Sequence, residues 1–543
     1  MSVDDLRDEL KRLGYLSHGM ERWFALDPWK SRTFWSELLI VAAKAATLSA
    51  VFVALPMIVV MLLRNRPLGV LETVVLSALY VGGSFLAVMG LMLLSALVIK
   101  IRPSVPIRSP RGLTIFAMFV SGILLAAEAL WWGGFPDVSS IFETIAALAL
   151  FVAAFVTMSV VSSAALLSFS IHESHQIPSS RRRSLRVPLM AGSGLVLALL
   201  FALPFLGAGE NDSIAAPPQV AVTPSHRRLA LVAVDGLSIE LFSGRPGLRG
   251  SFAATRPIEP FVYRSSPEVW ATVGTGTAPA AHRVHAVDGI VLAGSSHVVQ
   301  SISDRDFLLR GVAPAFRIVR AQPLPPTARQ RSYVWEIFAD RGITCESVNW
   351  WTSAPSGIAL TSVTQEEVFG AAAAQRSSGP VEMAQRIDAI ALARFLRLLK
   401  AEPRFATVYL PAIDIVLNRV ESDSATQLSA SMQELDRIAT LSGELRRLGY
   451  DVILIGLPGS GQRGRGVIAT TFPLSGSVVH LEDVGPTVLD LFGFPASEEM
   501  HGRSLVGSAQ PRIPSYGVRE RPTRAGRVDE EYYETLRSLG YIR

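Results

Sequence analysis

VILIGLPGSGQRGRG, residues 452–466, nearly spells a phosphate-binding loop. Gly456 and Gly461 have the right spacing, but Gln462 stands where the lysine belongs, and Arg463 follows it. A phosphate loop runs from a strand directly into a helix, whose N-terminus holds the anion. Here the chain passes through QRGRG into VIATTF, which has the character of a second strand. With neither lysine nor helix, the stretch is not a nucleotide site. It reads as a buried strand ending in a turn at the rim of a sheet.

The surrounding chain fits that sheet. LALVAV (229–234) is a short continuous apolar run, as expected of a strand buried on both faces. SYVWEIFADRG reads as a helix leading into the strand ITCESVNW, and RIDAIALARFLRLLKAE as a helix followed by the strand RFATVYL. A helical stretch over 427–448 precedes DVILIG, and EDVGPTVLDLFGF is another helix. This alternation predicts an α/β domain over 227–543, with a mostly parallel sheet sandwiched by helices. In such sheets chemistry gathers beyond the carboxyl ends of the strands. Asp235 follows LALVAV, Asp414 lies just past RFATVYL, and the 452–466 turn follows DVIL.

Upstream the composition changes. Five apolar stretches, 38–63, 71–101, 113–135, 141–171 and 187–206, are each long enough to cross a bilayer core of about 20 residues. They predict a five-helix transmembrane domain over 36–206, after a segment 1–35 and before a Pro-broken linker, 207–226. Lys and Arg cluster before the first stretch, after the second (Lys100, Arg102, Arg108, Arg111) and after the fourth (Arg181, Arg182, Arg183, Arg186). These clusters share one side if the N-terminus is cytoplasmic. The expected location is therefore the plasma (inner) membrane, with the C-terminal domain extracytoplasmic or periplasmic. Trp131 and Trp132 then fall in the outer aromatic belt. The first stretch is too long and starts too late for a cleaved signal, so the anchor is expected to stay. Lys44 and Glu128 have no obvious intramembrane partner in the sequence, which favours an anchor over a transporter.

The formal charge of +5 calls for no nucleic acid, because the inner-face clusters carry much of it. The single cysteine, Cys345, excludes an internal disulfide and reads as a small buried residue.

Taken together, the outer segments resemble the alkaline phosphatase superfamily, specifically its type I phosphodiesterase/nucleotide pyrophosphatase-like branch. LALVAVDG resembles the opening strand with its metal-binding Asp, and SSPEVWATVGTGTAPAAHRV the nucleophile segment. YVWEIFADRGITCESVNWWTSAP, HLEDVGPTVLDLFGFPASEEMHGRSL and the terminal LRSLGYI resemble later signatures, in the right order. The resemblance implies two divalent metals that activate a hydroxyl and stabilise an in-line phosphoryl displacement. It assigns Asp235 and Asp414 as metal ligands and Ser266 as nucleophile. It also exposes departures. Asn418 stands where a His is expected, Leu457 and Pro458 stand in place of an Asp-His pair, and Gln462 in place of a third His. Asn418 and Gln462 offer only neutral carbonyl oxygens, which suit zinc poorly. Too few ligands remain for a tight zinc site.

Each residue also has a plainer reading. Asp235-Gly236 can be a strand-end turn, Asp414 a structural cap, and Ser266, before Pro267 and Glu268, a helix N-cap. His282, His285, His297 and His480 lack ligand spacing. The expected function is a membrane-anchored, phosphodiesterase/phosphatase-like pseudoenzyme with a degenerate metal site and a binding or scaffolding role. No cofactor is expected there. The alternative is an active phosphohydrolase or phosphotransferase on lipid- or glycan-linked phosphate, using Ser266, an altered site and a divalent metal. The expected partners are the lipid bilayer and an anionic, lipid or glycan ligand or a membrane protein.

Overall fold

The computed structural model describes residues 5, 34–65, 68–101, 110–131, 141–172 and 225–542, apart from short stretches at 296, 301–305, 354–355, 376–378, 463, 478, 508–511 and 520–529. These residues form two compact units.

Among its described residues the first unit has four long helices: α1 (Phe34–Arg64), α2 (Val70–Ile101), α3 (Pro110–Trp131) and α4 (Ile141–His172). Three carry spans long and apolar enough to cross a membrane, Leu38–Val59, Val70–Val98 and Leu148–Leu167. The third expected span lies in α3, and its last residues, 132–135, are outside the described residues. Among the described residues its apolar run is Gly112–Ala127. The fifth expected span, nearly all of segment 1–35 and most of the linker lie outside the described residues.

Helix α1 packs against α2 and α4, and α3 packs against α4. The shared core is rich in alanine: Ala42, Ala45 and Ala46 of α1, Ala96 of α2, Ala164 and Ala165 of α4. Small side chains let helix backbones approach closely, which is how helices associate where apolar burial gives no drive. The outward faces are apolar as well, with Leu86, Leu94, Ile115, Phe119, Leu148 and Val152 all exposed. A bundle apolar both inside and outside suits a hydrocarbon solvent.

The second unit is built on a seven-stranded sheet of order β2-β10-β9-β1-β8-β6-β7. The strands are β1 (Leu229–Asp235), β2 (Ala254–Ile258), β6 (Cys345–Val348), β7 (Leu360–Val363), β8 (Phe405–Leu410), β9 (Asp451–Leu457) and β10 (Gly466–Thr470). A second, three-stranded sheet has the order β4-β3-β5, formed by β3 (Asp288–Leu292), β4 (Val298–Val299) and β5 (Val319–Pro323). In the main sheet β1 is central. It is fully buried and pairs in parallel with β8 on one side and β9 on the other. That position explains its unbroken apolar run. Strand β10 turns back antiparallel to β9, so the 452–466 stretch is a strand-to-strand turn.

The longer helices of this unit, among the described residues, are α5 (Ser266–Thr275), α6 (Val334–Ala339), α7 (Gln365–Ala373), α8 (Pro380–Leu398), α9 (Ser424–Arg447), α10 (Val484–Leu491) and α11 (Glu530–Ser538). Helix α6 packs on β6 and β7, α8 on β6 and β8, and α9 on β9. Cys345 is buried in β6, and burial pushes its thiol pKa up.

An aromatic cluster sets α5 against the sheet. Trp270 of α5 meets Tyr409 of β8 edge-on, with ring centroids 5.4 Å apart, and Trp350 at 5.9 Å. Tyr333 stacks on Trp335 at 4.4 Å. All five rings are buried, and truncating a buried ring of this size typically costs about 3–5 kcal/mol. The start of α5 is thereby fixed over the carboxyl ends of β1 and β8.

Candidate functional site

Asp235 is the last residue of β1, and in register it faces Leu457, the last residue of β9. Asp414 lies four residues beyond β8, in a short helical turn. Ser266 is the first residue of α5. All three side chains are fully buried. Hydrogen bonds through Tyr263 and Arg419 join them into one cluster.

Two neutral phenols surround Asp235. The Tyr263 hydroxyl lies 2.8 and 2.7 Å from its two oxygens, and the Tyr409 hydroxyl donates to Oδ2 at 2.8 Å. Tyr263 also meets the Ser266 Oγ at 2.9 Å. Burial, and then the nearby Asp414 charge, raise the Asp235 pKa from 3.8 to about 6, against the lowering effect of the two phenols and Arg419. Repulsion between the two carboxylates is thus present, but second to desolvation.

Asp414 meets a full positive charge. Arg419 Nε donates to its Oδ2 at 2.5 Å, and Arg419 Nη2 donates to the Ser266 Oγ at 2.8 Å. The other oxygen, Oδ1, accepts from the Ser460 backbone N–H at 2.8 Å and from Asn418 Nδ2 at 2.8 Å. Ser460 reaches it because Gly459 turns at φ +89°; a Cβ there would collide with Asp414 and Asn418. The former question of the 452–466 stretch is answered here. Its turn delivers a backbone N–H to a carboxylate, and Leu457 points into the core.

Asn418 and Gln462 join the cluster through their amide N–H groups. Asn418 Nδ2 faces Asp414 and the Pro458 carbonyl, while its carbonyl oxygen accepts from Gln462 Nε2 at 3.0 Å. Neither amide oxygen is aimed at the carboxylates. The helix-cap reading of Ser266 also changes. The N-cap of α5 is Ser265, whose side chain accepts from the Glu268 N–H at 3.3 Å. Ser266 is thereby freed to bond Tyr263 and Arg419.

The chain's own C-terminal segment covers this cluster. Tyr541 lays its ring over Arg419, with the guanidinium carbon 4.0 Å from the ring centroid, and meets Trp351 edge-on at 5.3 Å. Helix α11 holds the segment down through Tyr532, which donates to Gln365 of α7 at 2.7 Å.

Arg419, Tyr263 and Tyr541 were not singled out in the sequence. Arg419 was hidden by local geometry. The turn Ile415–Arg419 is π-helical, closed by a Val420 N–H to Ile415 carbonyl bond of 3.1 Å. A wide turn brings the fifth residue after Asp414 back to its carboxylate, beside the fourth. The available signal was an arginine inside AIDIVLNRV, a run apolar but for Asp414 and Asn418, where a buried charge needs a partner.

The histidines lie elsewhere. His282 is buried, with Nε2 3.0 Å from the Thr272 hydroxyl and Nδ1 accepting from the Val284 N–H, and burial lowers its pKa. His285 lies 3.7 Å from Glu268, and the His480 backbone N–H is capped by Asp483. Among the described residues no group of three or more His, Cys, Asp or Glu side chains is placed to hold a metal. The donor set does not fit a pair of divalent ions: one carboxylate is committed to a guanidinium, the other to two phenols, and the amides present N–H groups.

Residues 229–456 match the family model for type I phosphodiesterase/nucleotide pyrophosphatase. No curated protein matches the chain by sequence. Solved structures similar to it include phosphonoacetate hydrolase from Sinorhizobium meliloti 1021 in complex with phosphonoacetate, at 13% identity and TM-score 0.31. That match covers 44% of this chain and 59% of the other, so the chain spans less than two thirds of that hydrolase. Murine ectonucleotide pyrophosphatase/phosphodiesterase 5 matches at 12% identity and TM-score 0.29, over 42% of this chain and 56% of the other. A phosphonate monoester hydrolase from Silicibacter pomeroyi matches at 11% and 0.32, over 52% and 76%. The likeness to the type I phosphodiesterase/nucleotide pyrophosphatase family thus rests on residues 229–456, the stretch that carries Asp235, Ser266 and Asp414.

Proposed function

We propose that the protein is a membrane-anchored, extracytoplasmic member of this family whose metal site has been replaced by an internal ion pair, and that it works by binding or scaffolding. The observation that carries the reading is Arg419, whose single side chain bonds both Asp414 and Ser266. A guanidinium is always charged and satisfies a carboxylate and a hydroxyl at once. It supplies inside the fold the positive charge that a metal would bring. A dication entering here would have to displace Arg419 from a buried contact, and leaving either buried charge unpaired is strongly unfavourable.

Ser266 is fully buried beneath this arrangement, so no substrate phosphorus has an open path to it in this conformation. The bilayer is the expected partner. The ligand would be an anionic, lipid or glycan group, or a second membrane protein.

One observation favours the catalytic alternative. Tyr263 links the Ser266 hydroxyl to Asp235, a carboxylate with a pKa near 6, and such a chain could carry a proton away from the serine. The deciding experiment uses the full chain in detergent, equilibrated with zinc, manganese or magnesium. The expected result is metal well below one ion per chain, and aryl phosphate or phosphodiester turnover no different from that of Ser266→Ala. Turnover lost in Ser266→Ala would install the phosphohydrolase or phosphotransferase reading instead.

A further inference from the structure

Helix α2 is longer than a bilayer requires. Its apolar span, Val70–Val98, has 29 residues, about 43 Å at 1.5 Å per residue, against a hydrocarbon core of about 30 Å. Lys100 marks its cytoplasmic end in the proposed orientation. Counting about 20 residues back from Lys100 reaches Tyr80, where the outer interface should fall. The turns before Tyr80 then stand in the headgroup region or beyond. They hold the first polar side chains of the helix: Glu72 accepts a hydrogen bond from the Ser295 hydroxyl, and Thr73 and Ser77 are buried.

A segment from late in the sequence meets α2 at this level. Ser301–Arg320 belongs to the same compact unit as the helices. The Tyr80 hydroxyl donates to Asp306 Oδ2 at 2.7 Å, while Asp306 Oδ1 caps the π-helical turn Phe307–Val312 by accepting from the Leu309 N–H at 2.9 Å. Close approach is permitted by Gly83, where a Cβ would overlap the Leu308 side chain. Having been tied to α2, the segment leaves two large apolar rings uncovered. Phe307 is 67% exposed and Phe316 is 72% exposed. Arg317 and Arg320 are exposed beside them.

We propose that residues 306–320 form an interfacial hook that inserts Phe307 and Phe316 into the outer leaflet and sets Arg317 and Arg320 among anionic lipid headgroups. The occupant of the apolar patch is the same bilayer that α2 crosses. The argument is continuity: the segment is bonded to α2 at the depth where the helix passes from hydrocarbon to headgroups. Aromatic rings and basic side chains together are what interfacial segments use at that depth. The proposal rests on the membrane reading above and adds a second lipid contact, from a part of the chain remote in sequence from the helices.

The test is depth-dependent quenching in the full chain. Cys345 is buried, so a thiol-reactive fluorophore reports an introduced site. Phe307→Cys and Phe316→Cys are labelled in vesicles of phosphatidylcholine and phosphatidylglycerol, beside Leu86→Cys on the exposed face of α2 and Ile358→Cys on the second unit. The expected result is that spin-labelled lipid quenches the Phe307→Cys and Phe316→Cys labels at least twofold more than aqueous iodide does, most strongly with the spin label near the headgroup. Ile358→Cys should show the reverse. If both phenylalanine sites follow iodide while Leu86→Cys follows lipid, the hook is refuted and the membrane bundle stands. If Leu86→Cys also follows iodide, the membrane reading falls, and the hook with it.

Discussion

The two halves of the buried cluster solve the same problem differently. Each places a buried carboxylate at, or just beyond, the carboxyl end of a parallel strand. The Asp235 half satisfies it with neutral phenols, and its pKa rises to about 6. The Asp414 half satisfies it with a guanidinium, a backbone N–H and an amide. The difference lies in the charge of the partners. An arginine neutralises Asp414, whereas Asp235, which faces Leu457 in register, has only phenols as hydrogen-bond partners and is easily protonated.

The comparison breaks most clearly at Arg419. Arg419→Met should leave Asp414 as an uncompensated buried charge, at a cost of about 3–5 kcal/mol. The thermal midpoint of the second unit should fall by roughly 6–15 °C at neutral pH. Combining Arg419→Met with Asp414→Asn should recover more than half of that loss, because the orphaned charge is removed with its partner. A single mutant as stable as wild type would mean that the ion pair does not hold the cluster.

The Asp235 half makes a prediction about pH. Its folded pKa, about 6, lies above the unfolded value near 3.8, so between these values the native state binds more protons than the unfolded state. Stability from this group is therefore lost as pH rises from 4 through 6. The full difference is on the order of 2–3 kcal/mol. Asp235→Asn, which stays neutral, should lack this loss. Melting curves should show the variant gaining on wild type as pH rises from 4 to 7.5. A difference that stays flat would show that Asp235 is not held in a desolvated site.

How much of this could be read in the chain follows from distance along it. The apolar runs LALVAV and DVILIG showed β1 and β9, because a strand buried on both faces leaves an unbroken signature. Asp235 and Asp414 were legible as the first polar residues past such runs. Arg419 was not, because a π-helical turn shifts the partner position by one from ordinary helical spacing. Tyr541 lies 122 positions from Arg419, and no local pattern reports a contact of that range. The small strands β2 and β7 and helix α7 were also missed. They are short, and the three-residue-and-longer apolar periodicity that revealed α8 is absent or weak in them.

The covering segment sharpens the comparison on the Asp414 side. Tyr541→Leu keeps an apolar plug but removes the ring over Arg419, and should cost roughly 1–2 kcal/mol. The loss should be smaller in the Arg419→Met background. A double-mutant cycle isolates the shared term, and a coupling near zero would mean that the ring merely fills space.

The smallest effect is expected at Ser266, the residue that touches both halves. Its hydroxyl bonds Tyr263 on the Asp235 side and Arg419 on the Asp414 side. Arg419 keeps Asp414, and Tyr263 keeps Asp235, when that hydroxyl is removed. Ser266→Ala should therefore cost on the order of 1 kcal/mol, the net value of an ordinary buried hydrogen bond. Ser265→Ala, which removes the N-cap of α5, should cost a similar amount, about 1 kcal/mol, by a different route. Stability alone does not separate the two serines, but function does. An unperturbed serine hydroxyl needs a base or a metal to attack phosphorus. With Arg419 donating to the Oγ, its lone pair is engaged rather than sharpened. Both variants should thus match wild type in any residual phosphoester turnover. Loss of turnover in Ser266→Ala but not in Ser265→Ala would show that the serine reacts, and that the Tyr263–Asp235 side of the cluster is a working proton relay.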